Sequence, residues 1–293
     1  MADPQASGFD ATRAYRPREE EGIPFFDDGR EVGLLHFVYN HPNVANLRGC
    51  PRKVLQAIDE YGRTQKYLMN VGDEKGRIVS NLILDVKPQV MVELGGYVGY
   101  SAILFGDCVR RAGGQRYFSL ERNPEFAAVI MALADLAGLS DTVKVVVGSS
   151  ADSIQRLSAD GLKHIDLMFL DHYKPAYTTD LKLCEQLNLV TPGTVLAADN
   201  VVTPGNPPYL KYVRSTVQEK RMAVESNLSD SDHTADFGNR WKDQYRDREG
   251  EERLILHLKG NPNLVYESQL VNSFEPTGEP VRCARNCQKT ELH

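Results

Sequence analysis

The chain has no apolar run approaching the roughly 18 residues that a membrane span requires, so no bilayer-crossing helix is expected. It also lacks a basic excess. Lys and Arg number 34 against 40 Asp and Glu, the formal net charge is -6, and the scattered cations leave no positive face for nucleic acid. The opening residues M-A-D-P-Q-A-S-G-F-D do not show the basic-then-apolar order of a secretory signal, so the expected location is the cytoplasm. Cys50, Cys108, Cys184, Cys283 and Cys287 form an odd, irregular set; Cys283 with Cys287 has no second pair to complete a zinc site, and free thiols are expected. No internal repeat is present. These exclusions leave a globular protein with a small-molecule partner, and 41% hydrophobic residues suffice for a substantial core.

What is there centres on Val90 to Ser101, V-M-V-E-L-G-G-Y-V-G-Y-S. An apolar run of strand length ends near an acid and passes through Gly95, Gly96 and Gly99 into a helical stretch from Tyr100 to Arg111. Glycines let the backbone approach a ligand, and the helix start offers unpaired N–H groups. The spacing G-G-x-x-G, rather than G-x-G-x-x-G, favours a compact ligand head such as the methionyl part of S-adenosylmethionine over a pyrophosphate. The same glycines could also serve helix–sheet packing alone.

Around this unit strands and helices alternate. The strands are expected at Val90–Leu94, Arg116–Leu120, Val143–Val147, Ile165–Leu170 and Thr194–Ala198, as continuous apolar runs typical of parallel strands buried on two sides. Right-handed crossovers then make the fold a doubly wound α/β sheet with ligands at the carboxyl ends of its strands. Upstream, residues 1–27 are polar and aperiodic and are expected to be a disordered arm. Asp28–Asn40 and Pro51–Thr64 read as a helical cap, Tyr67–Gly76 as a connector, and Arg77–Val86 as a helix stopped by Lys87-Pro88. Residues 28–293 are expected to form a single domain carrying a charged insertion at about 217–260. Within that insertion Leu254-Ile255-Leu256 could be helix or strand, and Leu264–Val271 with Val281–Arg285 could be a closing antiparallel pair.

Chemistry-bearing residues fall at the strand ends. Glu121, after the second strand, lies in the range, about 20 residues past the glycines, where an acid accepts hydrogen bonds from ribose hydroxyls. Ser149 and Ser150 after the third strand could meet an adenine edge or simply cap a helix. Asp171, Asp199 and Asn200, after the fourth and fifth, offer oxygen only, which suits a hard divalent cation such as Mg2+; zinc would call for His or Cys. His172 is read as a hydrogen-bonding or packing residue. Lys174 sits three residues beyond Asp171, where a turn brings its ammonium to the metal edge as a base or an oxyanion partner. Tyr67, Tyr173 and Pro204 are candidates for the wall of an aromatic substrate.

Met69-Asn70-Val71-Gly72-Asp73, Glu93-Leu94-Gly95 with Tyr100-Ser101, Glu121-x-Asn123-Pro124, Phe169-Leu170-Asp171-His172 and Ala198-Asp199-Asn200-Val201 with Pro204-Gly205 resemble, in order, the motifs of catechol O-methyltransferase, from about Asp28 to Arg214. The resemblance implies a Rossmann-like methyltransferase with a mostly parallel seven-stranded sheet, moving a methyl group from S-adenosylmethionine to one hydroxyl of a catechol held on Mg2+. It implies Asp171, Asp199 and Asn200 as metal ligands and Lys174 as base. Met69, Val71, Glu93, Gly95, Tyr97, Ser101, Glu121, Ser150, Asp171 and His172 would contact the cofactor, and Tyr67, Tyr173, Lys174, Asn200 and Pro204 the acceptor. Val265-Tyr266-Glu267-Ser268 is similar to the family segment whose glutamate binds the second catechol hydroxyl, a role thereby implied for Glu267. Tyr67 and Tyr173 stand where animal enzymes carry tryptophan, Arg122 replaces methionine, and Ala151 replaces glutamine. A larger conjugate such as a coenzyme A thioester of a catechol acid, or a non-catalytic S-adenosylmethionine-binding role, are the alternatives.

Overall fold

Strands buried on both faces must pair side by side, and the five apolar runs do so. A computed structural model describes residues 9–19, 25–226 and 257–288. In it β1 (Val90–Leu94), β2 (Arg116–Glu121), β3 (Val143–Val147), β4 (Leu167–Leu170) and β5 (Val195–Ala198) are parallel to their neighbours. An antiparallel pair, β6 (Tyr266–Phe274) and β7 (Pro280–Gln288), extends one edge, giving the order β3-β2-β1-β4-β5-β7-β6. The expected doubly wound sheet is present. Its winding reverses between β1 and β4, which opens a crevice at their carboxyl ends. β4 starts at Leu167 rather than Ile165 because Asp166 turns its carboxylate onto the N–H groups of Gln89 and Val90, fastening the strand's entry to β1.

Side chains alternate between the two faces of the sheet. Met91, Leu167, Phe169 and Ala197 pack beneath α3 (Pro51–Thr64), α5 (Tyr100–Arg111) and α6 (Pro124–Leu136), and the cap helix α1 (Arg30–Tyr39) and the short α2 (Val44–Leu47) join that core. Val92, Leu94, Met168 and Leu196 pack on the other face against α7 (Ser150–Ala159), α8 (Ala176–Gln186) and α9 (Pro207–Arg214). Val54, Leu55, Ile58 and Tyr61 form the buried stripe of α3. Among the described residues no helix is long and apolar enough to cross a membrane. Cys50, Cys108 and Cys184 are free thiols. The side chains of Cys283 and Cys287 lie outside the described residues.

Three expectations change. The connector Tyr67–Gly76 ends early, because α4 runs from Gly72 to Val86. Gly76 does not break that helix: α4 approaches α5 so closely that a Cβ at Gly76 would lie 2.5 Å from Leu104 Cδ2. The N-terminal arm is not disordered in its described part. Tyr15 is buried, its hydroxyl donates to Asp59 Oδ1 at 2.7 Å and its N–H to Pro276 O, and its ring fills the space left open by Gly62. A few aromatics in a polar stretch therefore anchor it, while residues 1–8 and 20–24 lie outside the described residues. The segment expected as an insertion begins as a helix, α10 (Val217–Glu225), started by a Thr216–Glu219 capping box. Residues 227–256, including Leu254-Ile255-Leu256, lie outside the described residues.

Lys220 of α10 is buried between the rings of Tyr212 and Tyr266 and donates to Leu264 O at 2.9 Å. Beside it Glu185, at 1% exposure, accepts hydrogen bonds from the hydroxyls of Tyr212 and Tyr266 and the N–H of Asn261. One carboxylate thus ties α8 to α9 and to the C-terminal hairpin. Glu185→Ala should cost about 3 kcal/mol in urea unfolding, since one buried and two part-buried donors lose their acceptor together. Glu185→Gln, which retains an acceptor oxygen, should cost less. Equal stability of Glu185→Ala and the parent would show that the hairpin is held by other contacts.

Candidate functional site

The carboxyl edge of the sheet opens into a cleft of about 650 Å³, a size usual for small-molecule sites. One half is built on the glycine turn. Gly95 has φ of 91°, and a Cβ there would lie 2.6 Å from the carbonyl oxygen of Asp171; at Gly96 it would lie 2.4 Å from Ser119 Oγ. The turn can therefore sit low between β1, β2 and β4 only with glycines. Glu121, at the end of β2, braces it: Oε2 accepts from the N–H groups of Gly96 and Tyr97 at 3.2 and 2.9 Å, and Oε1 from that of Asn123.

Met69, Val71, Gly95, Tyr97, Ser101, Glu121, Ser150, Asp171 and His172 all line the cleft. Among the described residues Ser150 Oγ and His172 Nδ1 are buried with no hydrogen-bond partner, which fits a ligand carrying its own donors and acceptors. His172 is held for that role, with Nε2 2.8 Å from Asp180 Oδ2 and its ring stacked 4.8 Å from Tyr177. Glu93 is different. It lies behind the turn rather than on the wall, with Ser119 Oγ donating to Oε2 at 2.7 Å, and burial pushes its carboxyl up to about 7.

The other half of the cleft gathers charge. Leu170 pairs with Ala198 across β4 and β5, so Asp171 and Asp199 leave adjacent strands side by side, and Asp199 N–H donates to Leu170 O. Asn200 follows with φ of 53° and leads into a π-helical turn, Val201–Gly205. Burial first, and then the negative charge of Asp199, hold the Asp171 carboxyl above the usual carboxylate range. Lys174 is buried, its Nζ donating to Tyr177 Oη at 2.6 Å and to the Asp199 carbonyl at 3.2 Å, and standing 3.5 Å from Asp171 Oδ1. Among the described residues no three His, Cys, Asp or Glu side chains are placed to hold a metal. Two carboxylates and an amide, all oxygen donors and with like charges crowded together, are nevertheless the set that a hard divalent cation satisfies.

Tyr67 and Tyr173 line this half, joined by Phe25, whose ring centroid lies 6.2 Å from that of Tyr67. Pro204 lies in the π-helical turn, and its side chain is outside the described residues. The role implied for Glu267 is corrected. Glu267 pairs with Cys287, which in turn pairs with Val195, so it sits exposed at the amino end of β5, roughly 25 Å along the strand from the cleft. Glu275, just past the end of β6, enters the cleft instead, where it meets Lys75 and the Nδ2 of Asn200. Sequence reasoning missed both. The usable signal for Glu275 was an acid at a hairpin tip, Phe274-Glu275-Pro276, since tips of strands running parallel to β5 meet the ligand edge.

The model of a methyltransferase domain matches residues 92–201. Catechol O-methyltransferase B of Danio rerio is 41% identical over 200 residues, which cover 68% of this chain and 74% of that one. Catechol O-methyltransferase of Mus musculus is 39% identical over 188 residues, 64% of this chain and 69% of its own. An O-methyltransferase from Bacillus cereus, solved in complex with SAH, shares the fold with a TM-score of 0.54 at 18% identity, over 89% of this chain and 97% of that one. With relatives at about 40% identity matched over more than two thirds of their own length, the chain belongs to the catechol O-methyltransferase family.

Proposed function

We propose that this S-adenosylmethionine-dependent O-methyltransferase acts on one hydroxyl of a catechol held on Mg2+. The observation that carries the reading is the joining of Asp171, Asp199 and Asn200 with Lys174 at the ends of adjacent strands, opposite a glycine turn braced by Glu121. On this reading Glu121 takes the ribose hydroxyls, Ser150 and His172 the adenine end, and Met69, Val71, Tyr97 and Ser101 the methionyl end. Mg2+, when held by Asp171, Asp199 and Asn200, lowers the pKa of a coordinated phenol from about 10. Lys174, in its neutral amine form, would receive the proton of that hydroxyl, and the hydroxyl oxygen would take the methyl group as the bond from that carbon to the cofactor's sulfonium sulfur breaks. Glu275 accepts a hydrogen bond from the hydroxyl that keeps its proton, while Tyr67, Tyr173 and Phe25 wall the ring. What the protein supplies is chiefly orientation. The names of the Danio rerio and Mus musculus relatives agree with this acceptor class.

The test is methyl transfer to matched vicinal diphenols and monophenols, with and without Mg2+. Turnover confined to the vicinal diphenols and dependent on Mg2+ is expected; equal turnover of the monophenol would reject a catechol acceptor. Regioselectivity separates the two glutamates. Glu275→Gln should raise the acceptor KM by about tenfold, the scale of one lost charge-assisted hydrogen bond, and should blur the ratio of monomethyl products from an asymmetric catechol. Glu267→Gln should leave both unchanged. Measured product ratios that respond to Glu267 and not to Glu275 would reverse the assignment.

A further inference from the structure

Glu275 raises a problem that the family reading does not solve. It is a carboxylate whose Oε1 lies 2.7 Å from the amide nitrogen of Asn200, a residue assigned to the metal. A hard divalent cation attracts carboxylate oxygens, and a Glu275 drawn into its coordination shell would be diverted from the acceptor. Something must hold it back.

The structure offers Lys75, in the first turn of α4 and only 3% exposed. Its Nζ lies 2.6 Å from Asp199 Oδ2 and 3.0 and 3.2 Å from the two oxygens of Glu275. The ammonium thus bridges an assigned metal ligand and the acceptor carboxylate. Asn200 completes the arrangement: with Nδ2 donating to Glu275, its carbonyl oxygen is the donor atom it can offer a metal. The charges agree. Asp171, Asp199 and Glu275 against Lys75 and Lys174 give a formal -3 + 2 = -1, which a divalent cation and an ionised catechol hydroxyl bring to zero. Without Lys75 the same site is one charge more negative and draws the cation harder.

We propose that Lys75 is a positioning residue that keeps Glu275 out of the metal's coordination shell and thereby leaves it available to the acceptor. The inference rests on the metal-assisted catechol reading above. Its sign is unusual, because loss of Lys75 strengthens metal binding and weakens acceptor binding together. α4 also begins beside Val71 on the cofactor wall, so one helix sets the spacing between the cofactor and both carboxylates.

The experiment compares the full chain with Lys75→Met, Glu275→Gln and the double variant. Mg2+ affinity is measured by calorimetry without acceptor, and near-ultraviolet circular dichroism confirms the fold. Lys75→Met should bind Mg2+ about tenfold more tightly, within the range by which outer-sphere partners tune metal sites. With Mn2+ in place of Mg2+, water-proton relaxation should report fewer exchangeable waters on the ion. The acceptor KM should rise and the product ratio blur. Adding Glu275→Gln should return Mg2+ affinity to near that of the single Glu275→Gln variant, since the carboxylate that entered the shell is gone. Where Lys75→Met does not fold, Lys75→Gln serves, with the same expected direction. Mg2+ affinity and metal hydration equal to the parent's, or weaker binding in a folded variant, would overturn the proposal while parent activity on catechol left the functional reading intact. A parent that binds no Mg2+ would overturn both.

Discussion

Asp199→Ala should reduce methyl transfer by more than about a hundredfold, beyond the tenfold to hundredfold that loss of an outer-sphere partner costs, and should leave S-adenosylmethionine affinity nearly unchanged. The two halves of the cleft are built from different strands, so one can fail alone. Asp199 leaves β5 beside Asp171, whereas the glycine turn and Glu121 belong to β1 and β2. Its removal does not strand a buried charge, because Lys75 keeps Glu275 as a partner. Chelation of the parent should reproduce the loss, and chelation of Asp199→Ala should add little. Initial rates with and without chelator, together with calorimetric titration of the cofactor, check this. Full turnover of the parent in excess chelator would remove the metal from the reaction.

Lys174→Met should lower kcat by about two to four orders of magnitude, the usual contribution of a positioned proton-transfer group, with little change in acceptor KM. The geometry leaves the side chain little freedom. Tyr177 Oη receives a hydrogen bond from Nζ at 2.6 Å and itself donates to Leu170 O at 2.8 Å, while Asn206 Nδ2 donates to the Lys174 carbonyl. The ammonium is therefore aimed at the ends of β4 and β5 before any acceptor enters. Lys174→Arg should not rescue the rate, because a guanidinium does not give up its proton in a protein. Single-turnover rates separate the chemical step from release. A rise in KM at unchanged kcat would make Lys174 a binding residue only.

The catalytic edge was legible because strand ends are local facts. An apolar run followed by Asp171, or by Asp199-Asn200, announces its own terminus, and a parallel sheet brings all such termini to one side. Glu267 failed for the complementary reason. Its neighbourhood resembles the family segment, but its place along β6 depends on pairing through β7 to β5, and residues eight positions apart on a strand lie at opposite edges of the sheet. Lys75 was hidden by two glycines that read as loop, when Gly76 is a close contact between helices. The polar N-terminal stretch likewise concealed Tyr15, whose burial depends on the space over Gly62.

Composition and periodicity by themselves determined the doubly wound sheet, the glycine turn, and the oxygen donors with Lys174, because hydrophobic runs and turn chemistry act within a few residues of chain. The tertiary structure alone decided that Glu275 rather than Glu267 faces the cleft, that Glu93 lies behind the turn, and that Lys75 stands between Asp199 and Glu275. Those contacts join residues as far apart as 75 and 275, and only long-range packing, in which a helix missing one Cβ settles against its neighbour, sets such distances.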